Sequence, residues 1–399
     1  VEEYSVWNEQ TMALQVAMRA NVPALLLGVP GIAKTAFIKA LTKAWGWDVF
    51  VFLGSIRQPS DIIGYLAPDM ERGVTRELPL EWAVHISERA KRGDVTVVFL
   101  EELTTVFPAM QAAQLRFVHE RKVGECDLGE STRIVAAANP PEMAPGGFQL
   151  APPMANRLLH LGWREDVMHW ADNMLLDFPA PVLPTFNKDK AAEARERWKA
   201  LIHAYIRGYR QEHLVVMPAD SEGRVDEERA SGPWASERTW YEYLLPCLSW
   251  LDAVQGISRQ LYESVRERLA TGSIGAVGAE FLLWVDNLDL TSAQDMLKQG
   301  SKYEVPDRQD RAYAELANLS IHVAGFGDNL TEKMWLAAWT VFAAAAKQGK
   351  VATAAAAAKL LASQARADLP LVYEQMAPFR PLLEAARMIP RIDDMLTEL

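Results

Sequence analysis

Cysteine is nearly missing from this chain: its 399 residues hold two, Cys126 and Cys247, far apart and in no metal-ligand spacing. That excludes a disulfide framework and a thiolate zinc site, and the expectation is two free thiols in a reducing cytoplasm. The seven histidines are scattered, with no H-x-x-x-H or H-E-x-x-H spacing, so the usual zinc-hydrolase ligands are lacking. No G-x-S-x-G elbow appears, which argues against a serine hydrolase on an α/β sheet. No apolar run reaches the roughly 20 residues of a membrane helix. The nearest, 354–358, is alanine and is closed by Lys359. Val1-Glu2-Glu3 is acidic and has neither the basic nor the apolar region of a signal peptide. Positive charge is in deficit: 41 Lys and Arg against 52 Asp and Glu leave a net −11, a poor balance for binding phosphate backbones. Nor is there an internal repeat at solenoid periods.

What is present is ordinary globular chemistry, 50% hydrophobic and 23% charged, with room for two or three domains. Strand-like runs at 23–27, 48–53, 95–100, 133–138 and 158–162 alternate with helical patterns, the signature of a parallel sheet covered by helices. From Arg164 onward β-branched runs nearly vanish and helix formers with tryptophan take over. Residues 191–211 and 238–269 read as long amphipathic helices, 217–236 as an exposed loop, and 272–278 as a hinge. The alanine-rich stretch 351–367 reads as a closely packed helix, and tryptophans such as Trp163, Trp170, Trp198 and Trp240 as core or interface anchors. The expected fold class is therefore α/β followed by all-α. The expected divisions are 1–163, an α/β domain, 164–272, a helical domain, and 273–399, a further helical region of unknown role.

The most informative stretch follows the first strand: Gly28-Val29-Pro30-Gly31-Ile32-Ala33-Lys34-Thr35. A buried strand breaking into a Gly/Pro turn and then a helix through Lys-Thr is the arrangement that cradles phosphate, backbone N–H groups and a helix N-terminus facing the anion. Lys34 would reach the β- and γ-phosphates, and the Thr35 hydroxyl would ligate Mg²⁺. Ala33 stands in the second glycine slot of G-x-x-x-x-G-K-[ST]. Alanine suits that slot only if the residue has helical φ, whereas Gly31 can supply a turn that needs φ > 0.

A phosphate loop needs an acidic partner at the end of a neighbouring strand. Val95-Thr96-Val97-Val98-Phe99-Leu100-Glu101-Glu102 supplies two carboxylates. In such a pair the first holds Mg²⁺ and the second polarises the attacking water. The usual first residue is Asp, and Glu101 is one methylene longer. Asn139, at the tip of the strand-like run 133–138 and before Pro140-Pro141, can hydrogen-bond the lytic water and the γ-phosphate, or simply open a turn.

Together these residues resemble the AAA+ ATPases, and more narrowly their MoxR branch. The resemblance rests on the 28–35 loop, on Gln58-Pro59-Ser60-Asp61-Ile62-Ile63-Gly64, and on Phe99-Leu100-Glu101-Glu102-Leu103 running into Val106-Phe107-Pro108-Ala109-Met110-Gln111. It continues through Ala137-Ala138-Asn139-Pro140-Pro141-Glu142, Leu150-Ala151-Pro152-Pro153-Met154-Ala155-Asn156-Arg157 and Ala235-Ser236-Glu237-Arg238-Thr239-Trp240. In the last segment Glu237 stands in place of the branch's proline. The resemblance covers 5–163 closely and 164–272 loosely. It implies a five-stranded parallel sheet with helices on both faces, with 164–272 as its helical lid.

It also implies ATP and Mg²⁺, with Gly28, Val29, Pro30, Gly31, Ile32, Ala33, Lys34 and Thr35 holding the nucleotide between the α/β domain and the lid. Thr35 and Glu101 would hold the metal. Glu102 would be the catalytic base, Asn139 sensor 1, Arg157 the arginine finger toward a neighbouring subunit, and Arg238 sensor 2, although pairing with Glu242 at i+4 is a sufficient structural reason for Arg238. Hairpins are expected around Arg72-Gly73 in 69–80 and across 122–132. In the family both face the pore or axial surface. The implied function is an ATP-driven remodeller acting as a ring, a hexamer, on a protein client, with a von Willebrand factor A domain partner. The other readings are a nucleotide-gated scaffold with little turnover, which Glu101 motivates, and a DNA-directed motor, which the charge disfavours.

Overall fold

The structure is a computed structural model, and it describes residues 8–140, 143, 147–362 and 369–370. Pro141 and Glu142 of the sensor motif, the acidic start, and most of the chain beyond 362 lie outside the described residues. Two compact units are present, one formed by 1–194 with 213–282, the other by 195–212 with 283–399.

The first unit is built on the expected runs. They become β1 (Ala24–Leu27), β2 (Asp48–Leu53), β5 (Thr96–Glu101), β8 (Thr132–Ala138) and β9 (Leu159–Gly162); β3 (Tyr65–Asp69) with β4 (Val74–Leu78), and β6 (Lys122–Val123) with β7 (Cys126–Asp127), are separate hairpins. The five long strands form one sheet in the order β2-β5-β8-β1-β9, every neighbour parallel. Their near-continuous apolar sequence follows from burial on both faces. Alternation along β5 shows it: Val97 and Phe99 pack with the helices Glu9–Arg19 and Lys34–Ala44, while Val98 and Leu100 pack with Glu81–Lys91 and Pro108–Glu120. The parallel register puts the C-terminal tips of β1, β5 and β8 side by side, where open α/β sheets bind ligands.

Two expectations need correction. The single helix over 238–269 is two, broken between Asp252 and Arg259, because Gly256 takes φ +72° and Ser258 caps the next helix by accepting from the Leu261 N–H. The 272–278 hinge is a single-residue break, Gly275 at φ +65°, between the helices Arg259–Ile274 and Ala276–Asp286. A Cβ on Gly272 would lie 2.2 Å from the His160 carbonyl oxygen, so glycine there lets Arg259–Ile274 approach β9. Of the tryptophans expected in core or interface, Trp170 lies outside the core: it is 54% exposed, and its helix Val167–Leu175 buries none of its residues. Trp163, Trp198 and Trp240 are buried.

The second unit is helical. Trp335, Trp339 and Phe342 of Glu332–Lys347 pack with the alanines of Val351–Ala362, and the Ser320 hydroxyl reaches the Ala357 carbonyl at 2.7 Å. Such an approach is open to a helix whose side chains are methyl groups, so close packing accounts for the alanine run.

Candidate functional site

The phosphate-type loop leaves β1 at Leu27 and enters the helix Lys34–Ala44. Gly28 is required by crowding: a Cβ there would lie 2.1 Å from the Trp163 carbonyl oxygen. Trp163 in turn donates its N–H to Leu27 at 2.7 Å, and the Gln10 side-chain amide pairs with both backbone groups of Arg164 (2.8 and 2.9 Å), carrying the strand-like pairing past β9. Gly31 takes φ +86°, the turn expected of it. Ala33 departs from expectation. Its φ of +58° and ψ of +27° are left-handed, not helical, and it caps the helix with no side-chain bond. The conformation is therefore the one a glycine would supply, carried here by a residue that pays about 1 kcal/mol or more for it.

Lys34 points back into the loop. Its ammonium donates to Gly28 O (2.6 Å), Val29 O (2.9 Å) and Asn139 Oδ1 (3.1 Å), so all three N–H bonds are used on neutral oxygens. Burial lowers its pKa from the ordinary lysine value. The Thr35 hydroxyl donates to Glu101 Oε1. Loop, acidic strand and amide strand thus meet at one point, joined by side chains 66 and 105 residues apart. A hydroxyl and a carboxylate side by side are hard oxygen donors of the kind Mg²⁺ takes from protein, with phosphate and water supplying the rest.

Glu102 is exposed and also has left-handed backbone, φ +58°. The turn is held on both sides: Leu103 N–H donates to the Ala137 carbonyl of β8 at 3.0 Å, and Thr105 donates its N–H (2.9 Å) and hydroxyl (2.8 Å) to Glu102 O. Strain of this kind at a carboxylate turned away from its strand persists only where the surroundings over-determine it. The sequence reading missed Thr104, which is buried and donates to the Asn139 carbonyl at 3.0 Å. It links the turn after the acidic pair to the amide strand; a small hydroxyl three residues after Glu101 was the only available signal.

Arg157 and Arg238 lie elsewhere. Arg157 precedes β9 by two residues, and β9 begins opposite Ala24, the first residue of β1. Its backbone is therefore at the edge where strands start, about 10 Å of strand from the edge that carries Lys34, Glu101 and Asn139. Among the described residues, no hydrogen bond or ion pair joins either arginine to that group. Arg157 Nη1 donates to Pro153 O at 2.8 Å, and its buried Nε has no partner. Burial, and next the charge of Arg238, lower the Arg157 pKa. Arg238 makes the expected i+4 contact with Glu242, at a loose 3.9 Å. The two arginines share their surroundings with His119 at the end of the Pro108–Glu120 helix. Its pKa is lowered by burial and then by Arg238. Directly after Arg238 the helix widens into a π turn, Thr239–Leu244, a form frequent at functional sites.

Residues 23–158 match the family model of the AAA domain, dynein-related subfamily. No curated protein matches the chain. A solved structure from Cytophaga hutchinsonii, described as a "putative ATPase", is similar at 16% identity over 65% of this chain and 89% of its own, with a TM-score of 0.35. The matched span holds the loop, both carboxylates, Asn139 and Arg157. Over that span the chain is similar to the P-loop ATPase domains of the AAA type. Among the described residues, no helix is long and apolar enough to cross a membrane.

Proposed function

We propose that the chain is a MoxR-type remodelling ATPase that works as a ring, its nucleotide site completed by Arg157 of the next subunit. The observation that carries this reading is the division of the charged residues between opposite edges of one sheet. Lys34, Thr35, Glu101 and Asn139 meet at one edge, while Arg157 starts from the other with its Nε buried and unpartnered and the charge of Arg238 nearby. A cation with no bond to its own site, beside a second cation that Glu242 pairs only loosely, is suited to an anion brought by another molecule. In a head-to-tail assembly that anion is the γ-phosphate of the neighbour's ATP, and such contacts close into rings.

Within one subunit the roles follow from position. The 28–35 backbone cradles phosphate, and Lys34 exchanges its carbonyl partners for β- and γ-phosphate oxygens. Thr35 and Glu101 hold Mg²⁺, which supplies charge neutralisation on the phosphates. Glu102 orients and deprotonates water, and Asn139, already joined to Lys34, senses the γ-phosphate. The pairing of Arg157 with Arg238 supports assigning both to the neighbouring site rather than Arg238 to its own. Residues 164–272 act as the lid and 273–399 as an appended helical region. Two exposed features offer surfaces for assembly and client: the Val167–Leu175 helix, and the β3–β4 hairpin with Leu66 and Met70 exposed by 72% and 86%. The resemblance adds a hexamer, a cytoplasmic location, a protein client and a von Willebrand factor A domain partner.

The test is Glu102→Gln. It should bind ATP and assemble like the parent while turnover falls about 10²–10⁴-fold; undiminished hydrolysis would remove Glu102 as base. A nucleotide-gated scaffold is the second reading, favoured by Glu101 in the usual place of Asp. Rapid basal turnover by the parent chain excludes it.

A further inference from the structure

We infer that Asn156 is a positioning residue that clasps the Arg157 and Arg238 segments into one cationic unit, so that the two arginines are presented together. This rests on the reading of Arg157 given above. Asn156 is 4% exposed and spends both ends of its amide on the segment leading to Arg238. Its Nδ2 donates to Trp234 O at 3.1 Å, and its Oδ1 accepts from the Ser236 hydroxyl at 2.8 Å. Ser236 and the buried Thr239 then exchange bonds across Arg238: Ser236 N–H to Thr239 Oγ1 at 2.8 Å, and Thr239 N–H to Ser236 Oγ at 3.3 Å. This reciprocal arrangement caps the helix start and fixes the backbone on either side of the arginine.

The clasp has further supports. Ser231 Oγ donates to Leu150 O at 2.8 Å, fastening the segment at its other end. Gly275, at φ +65°, lets the helix end behind it come close; a Cβ there would lie 2.5 Å from Pro233 O. The stretch 231–236 is thus stitched to 150–156, and Arg157 is the next residue along. Two like charges side by side repel, and without an anion between them they would separate if their backbones were free. The Asn156 amide, satisfied at both ends in a buried setting, opposes that separation; truncating it removes the shorter contact of each, leaving Trp234 O and Ser236 Oγ only their 3.3 Å contacts with Thr239. An aspartate would keep the acceptor and lose the donor. The full amide is what both contacts require.

The test uses the full-length protein. Steady-state ATP hydrolysis is measured for the parent, Asn156→Ala, Arg157→Ala and the double variant, with amide hydrogen exchange of residues 234–240 in the first two. The expected result is a kcat roughly tenfold lower in Asn156→Ala at nearly unchanged KM, exchange at 234–240 accelerated by tenfold or more, and no further loss of kcat when Asn156→Ala is added to Arg157→Ala. A purely structural asparagine would instead lower kcat by the same factor in both backgrounds, and that outcome overturns the inference. Should Asn156→Ala fail to fold, Ser236→Ala removes one of the two contacts and is held to the same readouts. If Arg157→Ala hydrolyses ATP at the parent rate, the reading of Arg157 fails; the exchange data then decide the clasp alone, and unchanged exchange refutes it.

Discussion

Replacing Ala33 with glycine should stabilise the phosphate loop, against the usual expectation that glycine at the start of a helix weakens it. Ala33 sits at φ +58°, ψ +27°, and its carbonyl accepts the first bond of the Lys34–Ala44 helix, from Phe37 N–H at 2.9 Å. Left-handed backbone costs a residue with a Cβ about 1–2 kcal/mol, and glycine is free of that cost. Against this, glycine adds about 0.4–1 kcal/mol of conformational entropy to the unfolded chain. The difference leaves a net gain of about 0.5–1 kcal/mol, a two- to fivefold shift in the local opening equilibrium. Because the protein has two units, a single melting temperature would blend their transitions. Amide exchange of Ile38 to Leu41 under native conditions reads the loop and its helix directly. Slower exchange in Ala33→Gly by two- to fivefold is the expected result. Faster exchange would mean that Ala33 has ordinary helical φ, and the strain assigned to it would be refuted. Ala33→Val gives the opposite arm, since a β-branched residue tolerates this conformation worst.

Gly28→Ala should cost about 2–3 kcal/mol, because the new Cβ would overlap a backbone carbonyl that β9 holds in place; urea unfolding with the sheet followed by circular dichroism measures it. His160 is fully buried on β9 with its pKa pushed down to about 4 by burial. The unfolded chain takes up this proton near pH 6.5 and the folded chain not until about 4, so stability present above pH 6.5 is lost as pH falls through that window. The loss is about 3 kcal/mol, and His160→Gln, which cannot titrate, should flatten that part of the stability–pH curve; an unchanged slope would refute the assignment.

Much of the first unit was legible because parallel strands buried on both faces leave unbroken apolar runs. Val97 to Leu100 is such a run, buried throughout, whereas Val49–Leu53 on the edge strand is as apolar with only Phe52 buried. Glu101 and Asn139 were legible for a related reason, a polar group ending an apolar run having to face something other than the core, and Lys34 by its place at the helix start after the Gly/Pro turn. Helix breaks were less visible, since Gly256 and Ser258 interrupt 238–269 without disturbing the composition around them. The conformation of Ala33 was hidden because residue type argues against what the chain does there. Asn156 was hidden because its partners, Trp234 and Ser236, are about 80 residues away and reach it through a backbone carbonyl and a hydroxyl that carry no pattern.

The central claim, that Arg157 acts on the neighbouring subunit's nucleotide, is tested most directly by mixing two impaired proteins. Lys34→Ala lacks the phosphate contact and keeps Arg157; Arg157→Ala lacks the guanidinium and keeps the loop. Each alone should hydrolyse ATP at a small but measurable fraction of the parental rate. Mixed in equal amounts and allowed to exchange subunits, about a quarter of the interfaces in a head-to-tail ring pair an intact loop with an intact Arg157. Recovery of roughly a quarter of parental turnover is the predicted result. No recovery after verified exchange, or full turnover by Arg157→Ala on its own, would contradict it.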